Sequence, residues 1–112
     1  MSPITTHILD LAHGRPAAGV TVELEARTND EWQRVGRSAT DLDGRVRDLM
    51  APEALRAGIY RLTFDTEAYW RQHGVETFYP LVTVTFTVRE GRSHYHVPLL
   101  VSPWGYSTYR GS

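Results

Sequence analysis

Three histidines concentrate the chemistry of this 112-residue sequence: His7 near its start, and His94 and His96 two positions apart near its end. Imidazole is the side chain whose ordinary pKa lies nearest neutrality, so His7 and His96 are candidates for general acid–base work. Spacing alone does not bring those two together. His94-Tyr95-His96 also suits a metal, because residues i and i+2 of a strand share a face, and His7 would add a third ligand. With no cysteine and no obvious carboxylate partner, ordinary solvated histidines are favoured over a metal site. Arg45 could stabilise a developing oxyanion, although a solvated turn arginine is the commoner role, and Arg47 shares its face if the segment is extended. Tyr109-Arg110-Gly111-Ser112 directly follows a strand pattern, and a disposable tail needs neither Tyr nor Arg, so the tetrapeptide reads as part of a site. Asp10, Asp41 and Asp43 stand in turn contexts and read as turn-bonding groups. His13 and His73 read as loop or helix-end residues, and Trp32, Trp70 and Trp104 as packing residues.

Alternation with period two supplies the elements that must hold these groups. Residues 94–101 place Tyr95, Val97, Leu99 and Val101 on a core face and His94, His96, Pro98 and Leu100 on the other. Ser102-Pro103 breaks this strand, and residues 105–110 form a second short one. Residues 4–10 are a first strand with His7 on its less apolar face. Residues 20–27 alternate Val20, Val22, Leu24 and Ala26 with Thr21, Glu23, Glu25 and Arg27, the mark of a half-buried antiparallel strand. A polar, edge-like strand follows over 32–40, then the turn Asp41-Leu42-Asp43-Gly44, whose glycine suits a positive φ. Further strands are expected at 59–65 and 81–89, separated by one helix at 66–73 that Asp65 or Thr66 caps and Gly74 stops. Many short strands, turns and one short helix predict an all-β antiparallel sandwich.

Composition narrows the classes further. The length suits a single domain over residues 1–112, with 41% hydrophobic and 22% charged residues, as in a globular protein. No apolar run reaches membrane-spanning length, and the opening residues resemble no secretion signal, so a cytoplasmic location is expected. A net charge of −1 argues against a broad nucleic-acid surface. All twelve basic residues are arginine, which removes Schiff-base lysine chemistry and leaves planar guanidinium recognition open.

Over nearly its whole length the sequence resembles transthyretin and the related 5-hydroxyisourate hydrolases. Gly58-Ile59-Tyr60, Asp65-Thr66-Glu67-Ala68-Tyr69-Trp70 and the closing residues 99–108 are similar to segments shared by both branches. Thr6-His7-Ile8-Leu9-Asp10, Asp43-Gly44-Arg45, His94-Tyr95-His96-Val97-Pro98-Leu99 and Tyr109-Arg110-Gly111-Ser112 resemble the hydrolase branch, and the second of these singles out Arg45 over Arg47. The resemblance implies a transthyretin-like sandwich of two four-stranded sheets with one short helix. It also implies a small-molecule substrate, no metal or organic cofactor, and a homotetramer whose channel is lined by the outer faces of residues 5–9, 94–100 and 105–109. Under it, His7 and His96 position and activate water, Arg45 holds substrate oxygens, and Tyr109 and Ser112 orient the substrate. The rival class is a carrier of small aromatic ligands in such a channel.

Overall fold

The computed structural model describes residues 2–112; Met1, the first of the opening residues that resemble no secretion signal, lies outside them. Among the described residues nine strands and one α-helix follow in order: β1 (Ile4–Asp10), β2 (Arg15–Pro16), β3 (Thr21–Thr28), β4 (Glu31–Ala39), β5 (Arg45–Val46), β6 (Gly58–Phe64), α1 (Thr66–Gln72), β7 (Val82–Val88), β8 (Tyr95–Ser102) and β9 (Gly105–Thr108). One sheet runs β4-β3-β6-β7; the other runs β2-β1-β8-β9, with β5 pairing β1 as a fifth, two-residue strand. The expected two four-stranded sheets are thus the main paths, and β5 is an addition.

The two sheets bury the faces that alternation assigns to the core. Val22 and Leu24 of β3 and Leu62 and Phe64 of β6 are fully buried, as are Ile4 and Ile8 of β1 and Leu99 of β8. Each such side chain contributes about 1.5–3 kcal/mol by leaving water. Pairing is antiparallel throughout, as expected, except between β1 and β8, which run parallel over their full length from Ile4↔Tyr95 to Asp10↔Val101. The whole β4-β3-β6-β7 sheet lies between them in sequence, which supplies the long crossover a parallel pair requires.

Helix α1 starts where Asp65 accepts a hydrogen bond from the Ala68 N–H at 3.3 Å, and ends at His73 before Gly74. Its buried side chains are Thr66, Tyr69 and Trp70, the i, i+3, i+4 stripe of a docked helix. The dock is polar at its centre. Asp10, at the end of β1, accepts the Tyr69 hydroxyl at 2.6 Å, the His13 N–H at 2.9 Å and the His13 Nδ1 at 2.6 Å. Burial pushes the Asp10 carboxyl up, but the bonds from Tyr69 and His13 outweigh it and hold the group below its ordinary value. Burial and the Asp10 carboxylate push the Tyr69 phenol up to about 12. Asp10 is therefore the turn-bonding group expected, and also the anchor of the helix. Trp70 packs in the core and Trp32 lies under the Arg61 guanidinium at 4.1 Å, whereas Trp104 is 65% exposed and packs only at the surface, its ring 6.3 Å from that of Phe78.

Candidate active site

Strand register assembles the site on the outer face of the sheet that contains β1, β5 and β8. Thr5 stands opposite His96 across the β1–β8 pair, and His7 stands opposite Arg45 across the β1–β5 pair. Residues from three segments distant in sequence thus meet because β1 pairs on both of its edges. Alternation does the rest: Tyr95 and Val97 point into the core and His96, between them, points out half-buried.

Arg45 is delivered by a tightly bonded turn. Asp41 accepts the N–H groups of both Asp43 and Arg45 at 2.9 Å, and the Gly44 N–H bonds the Asp41 carbonyl at 2.9 Å. Those backbone bonds, that from Arg45 foremost, hold the Asp41 carboxyl below its ordinary range. Gly44 is required twice over. Its φ is +76°, and a Cβ there would lie 2.5 Å from the Ile8 carbonyl oxygen. Glycine is what lets this turn lie against β1, where the Ile8 N–H bonds the Gly44 carbonyl at 2.8 Å.

Residues 109–112 fold back over the same face. The Gly111 N–H bonds the His96 carbonyl at 2.8 Å, making an isolated antiparallel bridge beyond β9. Gly111 has no positive φ; its lack of a side chain serves close approach, since a Cβ would sit 2.6 Å from Cδ2 of the His96 ring. Arg110 places its guanidinium 5.1 Å from the centre of the Tyr95 ring, a cation–π contact.

A shallow pocket of about 210 Å³ results, lined by Thr5, Thr6, Arg45, Arg47, His94, His96 and Ser112. It unites His96, Arg45 and Ser112 of the sequence-predicted set. His7 does not line it, but stands opposite Arg45 in register. Tyr109 is 59% exposed and lines a different, larger cavity of about 430 Å³ together with Val84, Phe86, Tyr95 and Arg110. Within this chain Tyr109 and Ser112 therefore face separate hollows. Burial lowers the His96 pKa, and Arg45, His7 and His94 lower it further, so its imidazole is neutral at physiological pH. Arg47 pairs with Asp41 at 3.6 Å, whereas Arg45 makes no ion pair among the described residues, leaving its guanidinium available beside a neutral imidazole. That combination can take a proton from water and stabilise negative charge on a carbonyl oxygen. Among the described residues no three His, Cys, Asp or Glu side chains converge as a metal set.

Sequence reasoning missed Thr5. Its hydroxyl lies 2.8 Å from His96 Nδ1 and 3.4 Å from His94 Nε2, yet a threonine in an alternating strand reads only as a β former.

A β-sandwich carrying a histidine–arginine cluster on the outer face of one sheet defines the class, a small-molecule site built on transthyretin architecture. The HIUase/Transthyretin family profile matches residues 4–111, and the chain belongs to that family. It is 48% identical to the mouse 5-hydroxyisourate hydrolase over 99% of this chain and 96% of that one. It is 47% identical to the 5-hydroxyisourate hydrolase of Caulobacter vibrioides over the full length of both. Sea bream transthyretin, solved in complex with thyroxine, superimposes with a TM-score of 0.93 at 35% identity, covering 97% of this chain and 94% of that one.

Proposed function

We propose that the chain is a hydrolase that opens the ring of 5-hydroxyisourate to 2-oxo-4-hydroxy-4-carboxy-5-ureidoimidazoline in urate breakdown. The observation that carries this reading is the pocket in which the neutral His96 imidazole and the unpaired Arg45 cation stand together. Near-full-length identity to two proteins named for that activity supports it. Water adds its oxygen to the ring carbonyl while the free nitrogen of His96 takes one of its protons. Arg45 stabilises the oxyanion so formed. The carbonyl re-forms as the carbon–nitrogen bond breaks, and the imidazolium returns its proton to the leaving nitrogen, leaving a carboxyl group and an opened ring. His7 positions the water and Ser112 orients the substrate; Tyr109, which faces a separate hollow within this chain, joins in orienting it only across a junction with a second copy. Neither metal nor organic cofactor is required.

The chain works as one domain and as a homotetramer. At about 210 Å³ the pocket is small for enclosing even a compact ligand, so a wall from a second copy would complete it. Large apolar side chains left open on this chain, among them Leu11 at 57% and Trp104 at 65% exposed, support burial between subunits. No helix among the described residues is long and apolar enough to cross a membrane, and a cytoplasmic site of action is the location proposed.

Steady-state turnover of freshly generated 5-hydroxyisourate by the purified protein tests the reading. Saturable turnover far above the spontaneous decay is expected. Absence of turnover together with tight binding of thyroxine, the ligand of the sea bream complex, would replace it with the reading of a carrier of small aromatic ligands.

A further inference from the structure

The Thr5 hydroxyl occupies a position that the reaction as written leaves unexplained. It is 5% exposed, and it faces two imidazole nitrogens rather than backbone, at 2.8 Å from His96 Nδ1 and 3.4 Å from His94 Nε2. A hydroxyl has one proton to give, so it cannot donate to both rings. The other ring nitrogen of His96, Nε2, has no hydrogen-bond partner among the described residues, and the ring lines the pocket with Arg45, Arg47 and Ser112.

We propose that Thr5 is a positioning residue for His96: its oxygen accepts the Nδ1–H of His96, its proton goes to Nε2 of His94, and His96 is thereby held in the tautomer whose Nε2 lone pair takes a proton from water. The mechanistic half of this inference rests on the hydrolase reading; the tautomer half does not. Which nitrogen of a histidine bears the proton is set by the bond that the other nitrogen makes. Bonding at Nδ1 alone would leave the direction open, because a lone threonine hydroxyl can serve as donor or acceptor there. Two features fix it. His94 is exposed and free to keep its own proton on Nδ1, offering Nε2 as an acceptor to Thr5. The cations lining the pocket, Arg45 and Arg47, with His7 at the neighbouring register position, disfavour an N–H directed among them and favour a lone pair. Ring orientation is set from the other side, where the Gly111 backbone packs against Cδ2.

The experiment compares wild-type protein with Thr5→Val, which keeps the branched shape and removes the hydroxyl, and Thr5→Ser, which restores it. Histidine ring ¹⁵N shifts, with His96 assigned by its loss in His96→Gln, are expected to show Nδ1–H in the wild type and in Thr5→Ser, and Nε2–H or a mixture in Thr5→Val. The kcat of Thr5→Val is expected to fall about tenfold or more, with KM within about twofold, because a group acting through the base alters the chemical step and not ground-state binding. The acid limb of its pH profile should also move. His94→Ala should give a tautomer mixture, since the Thr5 proton is then free to turn to His96. A folded Thr5→Val protein with unchanged His96 shifts and pH profile overturns the proposal, and unchanged shifts in His94→Ala overturn the part given to His94. A wild type that shows the tautomer but no turnover would instead sink the hydrolase reading and leave the tautomer lock intact.

Discussion

Gly111→Ala should disable the site while leaving the fold nearly untouched. A Cβ built on Gly111 lies 2.6 Å from Cδ2, 3.2 Å from Cγ and 3.4 Å from Cβ of His96. Ordinary contact begins at 3.4 Å, so the ring and the residue 111 backbone must move apart by about 0.8 Å. Neither side yields freely. The ring is bonded at Nδ1 by Thr5 at 2.8 Å, and the backbone at 111 is bonded to the His96 carbonyl at 2.8 Å. The encroached atoms are also the stiff base of the side chain rather than a flexible tip. Either the imidazole tilts away from the pocket or residues 109–112 lift off it. Displacement of a catalytic group by about 1 Å commonly costs about a hundredfold in rate, or roughly 2.7 kcal/mol of barrier. The fold should lose less, because the substitution threatens one backbone hydrogen bond at a sheet edge, about 0.5–1.5 kcal/mol. Steady-state hydrolysis and urea denaturation, measured on the same preparation, separate the two. An alanine variant that keeps more than half the wild-type turnover would refute the close-approach argument, and so would activity lost only in step with folded protein.

Other outcomes follow from the same geometry. His7→Ala, Arg45→Ala and His96→Ala should each lose about a hundredfold or more in kcat/KM while staying folded, since none belongs to the buried core, and circular dichroism beside the activity assay checks this. Because burial and the nearby cations depress the His96 pKa, the acid limb of the kcat/KM profile should have its midpoint below the ordinary histidine value near 6.5; a midpoint above it would reject His96 as the base. The Asp10 carboxyl is held below its ordinary 3.8, so its contribution to stability is present above that pH and is lost as pH falls through the folded value. Asp10→Asn should therefore cost about 1–3 kcal/mol at pH 7, and the gap from the wild type in denaturation midpoints should narrow as the solution is taken below pH 3.8.

The sandwich was legible in the sequence wherever a strand was long enough to alternate. Val22 and Leu24, or Tyr95 and Val97, announce their buried face within four residues, and Asp65 with Gly74 brackets the helix. Two-residue ladders have no period to read. Arg15–Pro16 and Arg45–Val46 are strands only because β1 offers a free edge, and that edge is set by long-range pairing. The parallel match of β1 with β8 was hidden for the same reason: alternation gives a strand's faces but not its neighbours or their direction. In the site, His7 and His96 could be nominated by residue type, and Arg45 preferred over Arg47 only through family resemblance. Thr5 carries no chemical signature until His96 is placed opposite it.

Division of labour between strand faces explains how one scaffold holds both a thyroxine-binding transthyretin and a hydrolase. On β8 the inward residues Tyr95, Val97, Leu99 and Val101 are all buried and belong to the core, while His96 contributes nothing to it. On β1, Ile4 and Ile8 are buried without exposure and His7 lies on the opposite face. Arg45 enters on a two-residue strand whose register is fixed by backbone bonds and by Gly44, not by its own side chain. Exchanging these outward side chains therefore alters little of the apolar burial that stabilises the sandwich, whereas exchanging their inward neighbours would cost several kcal/mol each. This separation fits a TM-score of 0.93 to a thyroxine-bound transthyretin at only 35% identity. What the chemistry does constrain is the backbone beneath it, at Gly44 and Gly111, where a single methyl group would meet the Ile8 carbonyl or the His96 ring. Those two glycines tie the outer face to its chemistry as firmly as the core ties it to its fold.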